Sequence, residues 1–379
     1  MNKNGMKFLR ERGATAALVA LAVLGLAGCG SLADLRDENK GIQLDTLKTA
    51  PGFKVSVYAT DLPKARQMVM GARGTLFVGS NAGNVYALTI SGDQVTRKRI
   101  IASDITTPSG VAFHDGALYV SARTKVLRYA DIESRLDNPP VPTTVVDGLP
   151  DKERHSARYM RFGPDGKFYV SVGSPCDLCE AKNDEYGIIM SMNADGSGKE
   201  IVARGIRNSV GFDWHPQTRE LWFVDQGQDN LGPLAPQEKL NRLSKKGENF
   251  GFPYCYDGDK PNPEFSNKRM CSEFSPPVFG LGAHTSALGM RFYAGNNVPG
   301  EYQSSIIATR HGSHPPSRVG YDVVRVVMKD NRAERMEPFL TGFLQGRSYW
   351  GRPADVMILP DGSVLISDDL NGAIYRVSR

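Results

Sequence analysis

From about residue 48 onward, one pattern recurs: a turn containing glycine or aspartate, then a short run of alternating apolar residues, then small or polar positions. It is read at GTLFVGS from Gly74, GALYVSA from Gly116, GKFYVSVG from Gly166, RELWFVDQG from Arg219, SSIIATRHG from Ser304 and GSVLISDD from Gly362. Alternation of this kind predicts strands, with Leu, Tyr and Val side chains turned into a core. No stretch after residue 40 repeats apolar residues at helical spacing for several turns. Most copies lie about 40 to 50 residues apart, the length of a four-stranded propeller blade, and the widest gap, from Arg219 to Ser304, holds a long insertion. A ring of blades that closes on itself leaves few strand edges exposed. The expectation is an all-β chain folded as a six-bladed β-propeller.

Composition agrees. The 40 glycines and 23 prolines of the 379-residue chain suit many short strands joined by tight turns. The glycines and aspartates at the strand ends, as in Asp225-Gln226-Gly227 and Ser367-Asp368-Asp369, let backbone approach a ligand in the central channel.

The N-terminus reads differently. Lys3, Lys7, Arg10 and Arg12 precede an apolar run from Ala14 to Gly28, too short to span a bilayer comfortably, so residues 1–28 are expected to be a signal peptide. Leu26-Ala27-Gly28-Cys29 resembles the bacterial lipobox, which makes Cys29 the expected lipidation site and residues 29–48 an anchored linker ahead of a propeller domain at 49–379. Gly30 and Ser31 after the cysteine favour the outer membrane, so the expected location is the periplasm, through a membrane-anchored lipoprotein. The formal charge of +5 falls to near +2 once the leader, net +3, is set aside, and no basic cluster suits nucleic acid.

Without Cys29, the chain holds Cys176, Cys179, Cys255 and Cys271, an even number for an oxidising compartment. Two disulfides are expected, and of three pairings Cys176–Cys179 with Cys255–Cys271 is favoured because both loops are local. No strand–helix thioredoxin pattern surrounds the CxxC, and Glu180 in place of histidine excludes c-type haem. A four-cysteine zinc site stays open.

Familiar fingerprints are missing: there is no GxGxxG after a strand and no GxxxxGK[ST] for a nucleotide, and no GxSxG nucleophile elbow. Segments spread over nearly all of residues 48–379 do, however, resemble the glucose/sorbosone dehydrogenase family in order and spacing. They are APGFKVSVYA at Ala50, HSARYMRFGPDGKFYVSVGSPCDLCE at His155, RGIRNSVGFDWHP at Arg204, DQGQDNLGPLAPQEKLNRL at Asp225, ENFGFP at Glu248, LGAHTSALGMRFYAG at Leu281, RHGS at Arg310 and GRPADVMILPDGSVLISDDLNGAIYRV at Gly351. The resemblance implies a propeller that binds pyrroloquinoline quinone (PQQ), with His155 as the base that takes a hydroxyl proton. It places Arg207 and Asn208 against the dione of the cofactor, with Gln226 in the cofactor site, matches Arg352 to an arginine that contacts a cofactor carboxylate, and sets Arg310, as a further cofactor-binding residue, where the soluble glucose enzymes place a lysine. It also implies a calcium ion on backbone carbonyls of the Gln226-Gly227-Gln228 loop, with Gly227 and Gln228 as ligands and Asp229 as an added carboxylate. Arg154 stands where soluble glucose enzymes place a substrate-binding aspartate, which puts glucose itself in doubt, and the HGSHPPSRVGY stretch departs from the HGSWNR of sorbosone-type members. The substrate class implied is a sugar or sugar aldehyde, and the electron acceptor a periplasmic or membrane partner.

Two other classes compete. A calcium-dependent lactonase or related hydrolase calls for clustered acidic and amide ligands in the channel, whereas arginines from several blades suit an anionic cofactor. A ligand-binding propeller lipoprotein without catalysis is set against the joint presence of His155, Arg207, Asn208 and Arg352.

Overall fold

The computed structural model describes residues 41–314 and 318–379; residues 1–28, expected to be a signal peptide, and the expected lipidation site Cys29 lie outside the described residues. Six blades, each built on four antiparallel strands and two of them widened by a fifth, follow one another along the chain, each starting from an inner strand. The inner strands are Ala65–Met70, Val111–His114, Met160–Phe162, Phe212–Trp214, Ala287–Tyr293 and Pro353–Ile358, and these open blades 1 to 6. Blade 6 takes its outermost strand from the start of the chain: Lys54–Ala59 pairs with Ala373–Ser378, Lys54 opposite Ser378. This closure joins the two ends of the propeller sequence and covers a strand edge that would otherwise stay open. Ahead of it, Lys48 and Thr49 pair with Thr341 and Leu340 on the outside of blade 5, and the Trp350 indole N–H donates to Thr46 Oγ1 at 3.0 Å.

Each of the six repeated sequence segments is the second strand of its blade: Leu76–Ser80, Ala117–Ala122, Phe168–Val172, Leu221–Asp225, Ser305–Arg310 and Val364–Asp368. The alternation does not become one apolar and one exposed face, because almost every residue of these strands is buried. The reason is the packing of blade against blade. Each second strand faces a neighbour on both sides, and hydrophobic clusters fill all the interfaces: Phe77 and Val120 between blades 1 and 2, Phe168 and Tyr119 between 2 and 3, Phe223 and Tyr159 between 3 and 4, Trp222 and Phe292 between 4 and 5, Tyr293 and Tyr375 between 5 and 6, Leu76 and Leu365 between 6 and 1.

The small polar residue near the end of each second strand is buried too, and it works on backbone. Ser121 Oγ accepts from Gly110 N–H at 2.8 Å, Ser171 Oγ from Tyr159 N–H at 3.2 Å and Ser367 Oγ from Asp355 N–H at 3.0 Å. One residue further along its second strand, blade 4 holds Asp225, whose Oδ1 accepts from the N–H groups of both Arg207 and Asn208, at 3.0 and 2.9 Å, as Asp368 of blade 6 accepts from Arg352 N–H at 2.9 Å. A carboxylate there anchors the loop that leads into the blade's own inner strand.

The long insertion lies in blade 4, between strands Gln237–Arg242 and Phe279–Ala283. Its disulfide is Cys255–Cys271, and the second bridge is Cys176–Cys179 in blade 3, the local pairing read from the sequence; a four-cysteine zinc site is thereby excluded. The insertion folds back over blade 3. Glu248 and Asn249 pair in parallel with Ala203 and Arg204, and the Tyr254 hydroxyl donates to Glu180 at 2.7 Å.

Candidate active site

Loops leading into inner strands, and loops joining second strands to third strands, share one face of the propeller. On that face a cavity of about 860 Å³ is lined by Arg154, His155, Arg207, Gln226, Gly227 and Glu238, among others. It falls within the range, roughly 300 to 1,000 Å³, of sites that enclose a cofactor or small ligand.

His155 stands in the loop before the inner strand of blade 3, with φ at 55°. A left-handed backbone is uncommon for histidine and is held in place by its surroundings. Two further cavity-lining residues, His284 and Ser286, share the left-handed backbone, at φ 58° and 52°. Close approach is part of how the imidazole is seated: a Cβ on Gly173 would lie 2.6 Å from the Cβ of His155 and 2.7 Å from Asn208 Oδ1. The ring's Nδ1 is 2.9 Å from the Ser174 carbonyl oxygen. A carbonyl only accepts, so Nδ1 carries the proton and Nε2 keeps its lone pair on the edge left to the cavity. Burial, then the positive charge of Arg207, press the imidazole down to about 4 against the pull of the Ser174 hydrogen bond. His155 is a neutral base across the ordinary pH range.

Arg207 and Asn208 enter from the loop before the inner strand of blade 4, both buried. Arg207 donates from Nε to the Asp177 carbonyl at 2.9 Å and from Nη2 to its carboxylate at 2.5 Å. Among the described residues no partner takes its Nη1. Asn208 Nδ2 donates to Gln226 Oε1 at 2.8 Å, and Gln226 Nε2 to the Ala287 carbonyl at 3.2 Å. Asn208 Oδ1 is buried with no hydrogen-bond partner. His155, Arg207, Gln226 and Gly227 are thus brought together on the cavity, with Asn208 directly behind them.

The other residues proposed from the sequence lie elsewhere. Arg310 is held by Asp322 through two contacts of 2.7 and 2.6 Å and does not line the cavity. The physical reason is the pairing across blade 5 that sets Arg310 opposite Asp322. Arg352 donates to the carbonyls of His311 and Gly312, at 3.3 and 3.2 Å, just before the cavity-lining Ser313 and His314. It has no ion pair among the described residues. Gln228 is buried and turned away, its Oε1 accepting from Asn262 of the insertion at 2.6 Å; only its backbone remains for a metal. Asp229 is occupied by Arg154 at 3.3 Å.

Glu238 was not read from the sequence. It is buried on the cavity wall, where its oxygens accept from Gly227 N–H at 3.1 Å and Ser286 N–H at 3.2 Å. Burial pushes its carboxyl up to about 8, outweighing those two donors and Arg207. The signal was present: Glu238-Lys239 are consecutive charges in a strand whose positions are otherwise mostly buried, and Lys239 answers Asp225 at 2.7 Å. Asp177 was also missed, although an acid between two cysteines so close to the proposed base was a visible cue.

The donor set suits a quinone at this end of the cavity: a neutral imidazole, an arginine with an unspent donor, and an amide with an orphaned oxygen. Among the described residues no group of three or more His, Cys, Asp or Glu side chains offers a metal site, so a cation here would rest mainly on carbonyl oxygens.

Comparison with known proteins bears on this assembly. An uncharacterized protein of Borreliella burgdorferi is 34% identical over 349 residues, 88% of this chain and 90% of that protein. A pyrroloquinoline quinone-dependent sugar dehydrogenase of Hypocrea jecorina is 24% identical over 275 residues, 63% of this chain and 64% of its own length. Among solved structures, the calcium structure of the Trichoderma reesei family AA12 carbohydrate-active enzyme superposes with a TM-score of 0.79 at 21% identity, over 90% of this chain and 99% of that one. The holo PQQ domain of pyranose dehydrogenase from Coprinopsis cinerea gives 0.73 at 19% identity, over 88% and 97%. These two likenesses establish the six-bladed propeller as the fold. The family model described as TrAA12-like matches residues 47–264, more than half of the sequence, and the chain belongs to that family.

Proposed function

We propose that this protein is a PQQ-dependent dehydrogenase of a sugar or sugar aldehyde, with His155 as its catalytic base. The observation that carries the reading is the fixed tautomer of His155, whose protonated Nδ1 is spent on Ser174 and whose Nε2 is left to a cavity shared with Arg207. When bound, the quinone supplies a two-electron acceptor for the hydride leaving the substrate carbon.

The chain's own residues handle the rest. His155 Nε2 accepts the substrate hydroxyl proton, and Ser174 keeps the ring from turning as the imidazolium forms. General-base assistance of this kind is worth roughly 10²- to 10⁴-fold in rate. The neighbouring charge of Arg207 disfavours the imidazolium, so the proton is readily passed on. Arg207 Nη1 and Asn208 would hold the dione edge, which places a fixed positive charge where negative charge develops. Arg352, whose guanidinium meets no carboxylate among the described residues, is a better partner than Arg310 for the cofactor's carboxylates. Calcium would sit at the Gly227 and Gln228 carbonyls. The names of the Hypocrea and Coprinopsis relatives support both the cofactor and the sugar. For a hydrolase the cavity offers the carboxyl groups of Asp229 and Glu238, one paired with arginine and the other protonated at neutral pH, a poor cage for a catalytic cation.

The location read from residues 1–31 completes the proposal: export, acylation at Cys29, attachment to the outer membrane facing the periplasm, and electrons passed to an acceptor there. Mass spectrometry of the N-terminal peptide tests the anchor, since an unmodified Cys29 or a retained leader would remove it.

The central test is titration of lipid-free protein with PQQ, with and without calcium, followed by reduction of the bound cofactor by a panel of aldoses and sorbosone-like aldehydes. Micromolar binding and bleaching by particular sugars are expected. His155→Ala should retain binding and lose turnover by about 10³-fold. Absence of binding in the presence of calcium would sink the proposal.

A further inference from the structure

The eight residues Gly173–Glu180 touch both groups on which the proposed reaction depends. Gly173 makes room for His155. Ser174 accepts from its ring, donates its N–H to the Arg207 carbonyl at 2.7 Å, and turns its hydroxyl onto the Cys176 carbonyl at 2.7 Å. The bridge Cys176–Cys179 closes around Asp177 and Leu178, and the far end of the loop is tied to the insertion through Glu180, which accepts from Tyr254 and pairs with Lys268.

We infer that Asp177, held in this cystine loop, is the positioning residue that fixes the Arg207 guanidinium in the cavity; the inference rests on the functional reading of the cavity given above. Two observations carry it. First, Asp177 takes two of the guanidinium's donor positions, Nε with its carbonyl and Nη2 with its carboxylate, leaving Nη1 as the directed remainder. Arginine is restrained in orientation when two edges of its planar fork are engaged, since the donors are rigidly spaced. Second, Asp177 is itself over-determined. Its Oδ1 also meets Arg154 at 3.2 Å, and its Oδ2 accepts from Asp229 N–H at 3.4 Å. Burial works against its charge, but the hydrogen bond and charge of Arg207 win and hold the carboxyl below the usual range. The Cys176–Cys179 bridge is thereby part of the site: it sets where Asp177 stands, and Asp177 sets where Arg207 points.

Positioning and simple charge predict opposite signs. Removing a carboxylate from beside Arg154 and Arg207 leaves more positive charge, which by itself tightens binding of an anionic quinone. Removing a positioning contact weakens it, by about 10- to 100-fold if outer-shell partners elsewhere are a guide. The experiment measures PQQ affinity, kcat and KM separately, and the Arg207 Nη2–H resonance, the donor on the Asp177 carboxylate, in the quinone-free protein. In Asp177→Ala, affinity is expected to fall about 10-fold or more and the Arg207 resonance to lose its protection from exchange. Asp177→Glu should recover part of the affinity, and Cys176→Ser/Cys179→Ser should reproduce the alanine result with Asp177 intact. Asp177→Asn, which keeps shape and one acceptor, serves if the alanine variant unfolds, and is expected to weaken binding several-fold. Unchanged or tighter binding in a folded variant, with Arg207 still protected, overturns the inference. If the parent protein binds no quinone, the cofactor reading fails by itself, and the Arg207 resonance alone decides whether Asp177 positions it.

Discussion

Two histidines on the same face of the propeller hold their protons on opposite nitrogens, and the difference separates the half of the site proposed to do chemistry from a structural one. His155 keeps the proton on Nδ1, against Ser174, and leaves Nε2 to the cavity. His311 is 2.9 Å through Nε2 from Asp369, a buried carboxylate that Arg66 also holds at 2.7 Å. Burial presses both rings down to about 4. At Asp369 the charges of Arg66 and His311 overcome burial and keep the carboxyl far below its ordinary value, so His311 is a neutral donor to a fixed anion. The arginines divide the same way. Arg207 is steadied from behind with its Nη1 amino group spare, whereas Arg310 is consumed by Asp322. What a charged side chain does here depends on whether its partners leave anything unspent.

The comparison breaks most sharply on the arginines. Arg207→Ala is expected to weaken PQQ binding about 100-fold, the loss of charge-assisted hydrogen bonds in a dry site. Arg310→Ala should change that affinity by less than about 3-fold and instead lower stability by roughly 1–3 kcal/mol, the range between exposed and buried ion pairs. Asp322→Ala should match it in thermal denaturation. If Arg310→Ala loses cofactor affinity as Arg207→Ala does, the division proposed here is wrong and the cofactor-binding role implied by family resemblance returns.

Acid titration sharpens it further. Both histidines resist protonation in the folded protein until about pH 4, while in the unfolded chain they take up protons near 6.5. The unfolded state therefore binds more protons between those values, and stability falls as pH drops through that window and is level above it. Between pH 6.5 and 5 the loss is about 1.5 kcal/mol for each ring. His311→Asn should flatten half of this slope in denaturant titrations while leaving the acid limb of turnover in place, because that limb belongs to His155. A turnover limb near pH 6.5 in the wild type would show His155 to be ordinary and solvated.

The fold was legible because a propeller repeats its most buried strand. The segments from Gly74 to Asp369 stand out as apolar runs precisely where neighbouring blades cover both faces, and local alternation could not reveal that both faces are covered. The loop residues were legible in part. His155, Arg207 and Gln226 come from separate loops, and no periodicity joins them; family resemblance supplied the grouping. What it could not supply was the set of acidic partners. Asp322 opposite Arg310 is set by strand register, Asp177 beside Arg207 by a disulfide loop, and Glu238 by the pairing of a third strand, all of them contacts between residues at least 11 apart in sequence.

Gln228 gives the smallest test and bears on the same rule at a single residue's distance. Gly227 lines the cavity, and a Cβ there would lie 2.4 Å from Pro236 Cγ, so the loop is packed tightly at that point. The next side chain turns the other way, into the insertion, where Gln228 Oε1 takes the Asn262 amide. If the loop holds calcium through backbone oxygens, the Gln228 side chain contributes nothing to it directly. Gln228→Ala should then leave calcium dependence of PQQ binding within about 2-fold and cost about 1 kcal/mol of stability, the typical penalty for stranding a buried amide. Gln228→Glu separates the cases, since a carboxylate kept against Asn262 leaves calcium affinity unchanged, whereas one that turns to the cavity raises it. A loss of calcium dependence in Gln228→Ala with stability unchanged would mean the side chain faces the metal, and that burial in the insertion is not what fixes this loop.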